Sequence, residues 1–107
     1  MINNDDGKIE ALLAELWQRH LPALRERLDL LDRTAAEASS GALAEASRVE
    51  AHSIAHKLAG NLGMFGYQDA TDIASAMEQI LKAPTPETLA TLSSLAHDLR
   101  STLASAL

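Results

Sequence analysis

The chain has 107 residues, a length that suits one domain, and 47% of them are hydrophobic, enough for a core. Its net charge is −6, and its nine basic residues are scattered rather than gathered into a stripe, which argues against nucleic-acid binding. It lacks cysteine, any apolar run near the roughly 18 residues of a membrane span, and the basic and apolar regions of a secretory signal, so a reducing cytoplasm is the expected location.

Ala and Leu dominate, whereas Val49 is the single valine and Tyr67 the single tyrosine, so the composition favours helix over strand. Residues 3–6 are polar, and one of them could cap a first helix over residues 8–19. In that helix Ile9, Leu12, Leu13 and Leu16 share a face. Pro22 suits a first helical turn, so a second helix is expected over residues 21–38, with Leu24, Leu28, Leu31 and Ala35 as its stripe. One continuous helix kinked at Pro22 is the competing reading.

Ser39, Ser40 and Gly41 mark a turn. A third helix is expected over residues 42–64, with Gly66 placed to end it. The fourth covers residues 68–82, with Ala70, Ile73, Met77 and Ile80 apolar and Pro84 as its stop. Thr85 can cap the last helix, Pro86 opens it, and Leu89, Leu92, Ala96, Leu99 and Leu103 run along it to about residue 106. Trp17 is expected at the edge of the core. The reading is an all-α fold: one domain, residues 1–107, an antiparallel four-helix bundle with a short additional N-terminal helix.

The chemistry concentrates in residues 51–67, AHSIAHKLAGNLGMFGY. At about 100° per residue, Ala51, Ile54, Ala55, Leu58, Leu62 and Phe65 fall on one side and His56 on the other. Val49, His52, Ser53, Ala59, Gly60 and Gly63 lie within about 60° of His56. Glycine inside a helix costs about 1 kcal/mol relative to alanine. Gly60 and Gly63 therefore do not serve local stability. They leave a bare surface on which another protein can approach the imidazole. A neutral imidazole is nucleophilic and common at neutral pH, which suits a phosphoryl carrier. A phosphoryl group adds about two negative charges, and Lys57, some 100° around the helix, could reach toward them.

The string from His56 to Tyr67, HKLAGNLGMFGY, resembles the phosphorylation-site helix of histidine phosphotransfer (HPt) domains. The helix count and order agree over nearly the full chain. The resemblance implies that His56 is phosphorylated, through Nε2, and that Gly60 keeps a docking surface open. It also implies an acidic residue on the next helix that orients the ring, and Glu78 sits at the matching distance. One departure stands out: the family's usual lysine three residues after the histidine is Ala59 here. By the same resemblance the partners are a response-regulator receiver domain and a sensor histidine kinase. Magnesium is then expected on the receiver, with no cofactor, metal, nucleic acid or membrane on this chain, and the chain is expected to be a phosphocarrier without turnover of its own, by default a monomer.

Two other readings use the same residues. Without the lysine at position 59, the domain could bind a receiver without taking a phosphoryl group. His52 and His56, four apart, could present two imidazoles to a metal, although the usual His-Glu-x-x-His string is absent. His20 and His97 have no supporting constellation.

Overall fold

A computed structural model describes the backbone of residues 4–107 and the side chains from residue 7 onward. The cap expected among residues 3–6 lies outside the described side chains. All regular structure among the described residues is helical: α1 (Asn4–Ser39), α2 (Glu45–Met64), α3 (Gln68–Lys82), α4 (Pro86–Leu89), α5 (Leu92–Leu103) and a 3-10 turn (Ala104–Ala106).

α1 corrects the expected pair of helices, because it runs unbroken through Pro22. An interior proline costs about 3 kcal/mol, since the carbonyl four residues earlier loses its donor. Here Pro22 and Gln18 both face solvent, so water can serve that carbonyl. Trp17, Leu21, Leu24, Leu28, Leu31 and Ala35 are all buried on one stripe that spans the proline. Burial of one such large side chain stabilises by roughly 1.5–3 kcal/mol, so holding both sides of Pro22 against one core outweighs the break.

The ends of α1 and α2 follow one chemistry. Gly41 (φ 77°) and Gly66 (φ 85°) take the left-handed conformation that glycine tolerates. At α2, Gly66 N–H donates to Gly63 O (3.1 Å) and Tyr67 N–H to Leu62 O (3.0 Å). At α1, Gly41 N–H donates to Ala38 O and Ala42 N–H to Glu37 O. Both pairs satisfy carbonyls that a helix end would leave orphaned. α2 starts at Glu45 rather than near residue 42, because Ala44 is extended (φ −72°, ψ 147°).

α3 spans the residues expected of it, but its buried set is Ala70, Ala74, Met77 and Leu81, with Ile73 and Ile80 only half-buried. The expected final helix is interrupted. Thr85 and Thr88 cap α4 reciprocally, and the chain then tightens at Ala90–Thr91 before α5. Thr91 Oγ1–H donates to Thr88 O (2.6 Å), as does Thr91 N–H (3.0 Å). Threonine hydroxyls compete in this way for carbonyls that a continuing helix would use.

α2 packs most extensively on α3, and α5 packs against both α1 and α3. The core runs from Trp17 to Leu103, and Trp17 Nε1–H donates to Ala106 O (2.9 Å) across the end of the bundle. Ile9, Leu12 and Leu16 share a face as expected, but that face is exposed on the N-terminal part of the 36-residue α1. The molecule is 59 Å long and 21 Å across.

Candidate functional site

α2 carries two faces. Ala51, Ala55, Leu58 and Leu62 lie fully buried against the core. Val49, Ser53, His56, Lys57, Gly60, Gly63 and Met64 are exposed. The helical period places them there, and burial of the first set orients the second.

The His56 side chain is 71% exposed, whereas that of Glu78 on α3 is 17% exposed. His56 Nδ1 lies 2.7 Å from Glu78 Oε1. An ionised carboxylate only accepts, so Nδ1–H is the donor. Nε2 of the neutral ring then holds the lone pair, at the end of the ring that points away from Glu78. A charge-assisted bond to a largely covered carboxylate is the kind of contact that can hold an imidazole in one tautomer and orientation.

The α2–α3 register that makes this contact is held on its other side by Arg48. Its Nη1 donates to Leu81 O (2.6 Å) near the C-terminus of α3. Arg48 also pairs with Glu45, and that hydrogen bond holds the Glu45 carboxyl below, and the Arg48 guanidinium above, their ordinary pKa ranges.

The two glycines differ. A Cβ added at Gly60 would meet nothing within 4 Å, so this position is open to whatever approaches the ring. At Gly63 a Cβ would sit 3.5 Å from Thr71 Oγ1, an ordinary contact at the edge of α3. Neither is needed to bring helices close together.

His52, one turn before His56, is half-buried. Its Nε2 is covered and has no hydrogen-bond partner. Its other atoms border the exposed face, but its far nitrogen does not turn outward with His56. Ala59 is half-buried and packs against the core cluster, on the side of the ring opposite Lys57. Lys57 is exposed and makes no ion pair within 4.0 Å among the described residues. No group of three or more His, Asp or Glu residues close enough to hold a metal occurs among the described residues.

Two features escaped the sequence reading. Met64, 61% exposed, adds an apolar flank two turns beyond His56, matching Val49 two turns before it. Its helical position, about 80° from His56, was the available signal. His20, with no constellation in sequence, stacks on Phe65 at a ring separation of 6.1 Å, next to Trp17. Burial, and then the nearby Arg27 charge, lower its pKa from the ordinary 6.5.

No described helix is long and apolar enough to cross a membrane. Residues 11–102 match the Hpt domain family. Over 68 residues, 64% of this chain, the sequence is 32% identical to Protein RcaC of Microchaete diplosiphon, of which the match covers 10%. No solved structure gives a significant match.

Proposed function

This chain belongs to the Hpt domain family, the phosphocarriers of phosphorelays, and from that premise we propose that His56 is the residue that takes and gives up the phosphoryl group. The observation that carries the reading is the pairing of an exposed ring with a covered carboxylate: His56 Nδ1 on Glu78 Oε1 at 2.7 Å, beside the open Gly60.

The Nε2 lone pair attacks the phosphorus of an aspartyl phosphate on a receiver domain, or of a nucleotide held by a kinase. The N–P bond forms, the bond from phosphorus to the leaving oxygen breaks, and the departing carboxylate or diphosphate keeps that electron pair. The ring gains positive charge while Nδ1 retains its proton, and the Glu78 carboxylate stabilises that charge. The reverse step delivers the group to a receiver aspartate. Magnesium and most transition-state stabilisation come from the partner.

In this reading the four longer helices form an antiparallel bundle that serves as a rigid mount. The docking surface consists of Gly60 and Gly63, bordered by Val49 and Met64, with His52 and Ala59 along the α3 edge. Lys57 takes over, from the opposite side, the charge role of the lysine that Ala59 replaces. Such a carrier works in the cytoplasm, where receivers and kinases are found.

The test is incubation with a phosphorylated receiver domain, followed by assay for acid-labile phosphate. Wild type is expected to take up label and His56→Ala none. Equal labelling of His56→Ala would refute the site. Ala59 favours the second reading, a receiver-binding module without transfer; saturable receiver binding with no label on wild type would establish that instead.

A further inference from the structure

We propose that the projecting part of α1 pairs two copies of this chain, antiparallel, through the stripe of Ile9, Leu12, Leu13 and Leu16. The proposal is independent of the phosphoryl chemistry at His56.

Ile9 is 56% exposed, Leu12 55% and Leu16 37%, and Leu13 is half-buried beside them. They recur at intervals of three and four residues, the pattern of a helix seam that packs on another helix. In the same helix from Trp17 onward, the buried stripe meets α2 and α5. Before Trp17 the apolar spacing continues while the neighbouring helices stop. A contiguous exposed apolar stripe of this kind marks an interaction surface.

The flanking charges identify the occupant as a second copy. Lys8 and Glu15 are seven residues apart, so they lie on the same flank of the stripe. Two identical helices related by a two-fold axis place that flank against itself in reverse order. Each Lys8 then comes toward Glu15 of the second copy, twice per pair, while half-buried Leu13 closes the other edge of the seam against its own Trp17, Phe65 and Tyr67. Glu15 also holds Arg19 of its own chain at 2.6 Å, so the contact to Lys8 of the second copy shares that carboxylate.

The seam is small. Four aliphatic side chains from each copy amount to a few hundred Å² per partner, below the roughly 800 Å² per partner of a standard stable interface. The pair is therefore weak, and the monomer expected from the sequence prevails in dilute solution. Phe65, at the C-terminal end of α2, meets Trp17 just beyond the stripe, at a ring separation of 5.1 Å.

The experiment is sedimentation equilibrium on the full chain from micromolar to millimolar concentration. Wild type is expected to show a monomer–dimer equilibrium, and Leu12→Glu to abolish it with the helical signal unchanged, because Leu12 touches no core. Lys8→Glu and Glu15→Lys are each expected to weaken the pair about fivefold, since each sets like charges opposite one another. Mixed one to one, these two variants are expected to associate as tightly as wild type, since every facing pair is again opposite in sign. A monomer at all concentrations would overturn the proposal. So would a mixture no tighter than its separate components. If the chain stays monomeric and Leu12→Glu instead weakens binding to a receiver domain, the stripe belongs to the receiver and the proposal also falls.

Discussion

The two faces of α2 share one backbone and obey opposite rules. The inner face, Ala51, Ala55, Leu58 and Leu62, is sealed, and any loss of volume there is paid in stability. The outer face holds His56 and the helix-weakening Gly60, neither of which adds to the core. A helix tuned for stability alone would carry alanine at position 60. The contrast shows which residues serve the fold and which serve an approaching partner, and each prediction below sets one face against the other.

The largest contrast is between His56→Ala and Leu58→Ala. The first is expected to abolish phosphoryl uptake while leaving the melting temperature near that of wild type. The second is expected to cost about 2–5 kcal/mol of stability, read by denaturant unfolding, with transfer per folded molecule retained. If His56→Ala unfolded the chain, the outer face would be structural and the comparison would collapse.

Next comes the link from the outer face to α3. Glu78→Ala removes the acceptor of the His56 Nδ1–H bond. A charge-assisted hydrogen bond is worth about 1.5–3 kcal/mol, so labelling is expected to slow by tenfold or more. Glu78→Gln keeps an acceptor and should fall between. The nitrogen chemical shifts of His56 should show its Nδ1–H tautomer fading in the alanine variant, a readout that a merely structural role would leave unmoved.

Gly60 separates stability from docking in a single position. Gly60→Ala is expected to stabilise the isolated chain by up to about 1 kcal/mol, since nothing stands in the way of the new Cβ. Gly60→Arg should fold as well as wild type yet transfer poorly, because its side chain occupies the approach to the ring. A stable Gly60→Arg variant with full transfer would remove Gly60 from the docking surface.

The smallest effect lies at the C-terminal end of α2, where His20 stacks on Phe65. Its native pKa is lowered, by burial first and by Arg27 second, from the ordinary 6.5. The unfolded chain therefore binds a proton that the native chain resists. Stability should fall as pH drops below about 6.5 and level off once the native His20 is also protonated. His20→Phe should flatten that part of the melting-temperature profile. If the slope persists in the variant, it originates elsewhere.

Much of the fold and the centre of the site were legible because helical periodicity is a local property. Leu58 and His56 had to point in different directions once the segment was helical. The limits of α3, the Thr85 cap and the Gly66 terminus likewise followed from side chains acting within a few residues. Pro22 was misread because its local cost is real, and it is outweighed only by a core stripe that holds both sides. The stop near Thr91 was missed because threonine hydroxyls compete with the helix only weakly.

Sequence alone therefore determined which faces are apolar, where the chain can turn, and that His56 stands on a bare helix face. Tertiary structure decided whether each apolar face finds a neighbour, as Leu24 does and Leu12 does not, and whether Glu78 meets the ring. Periodicity sets the direction of a side chain about its own helix axis. The register and reach of one helix against another depend on the packing of the whole core, which no local stretch of sequence encodes.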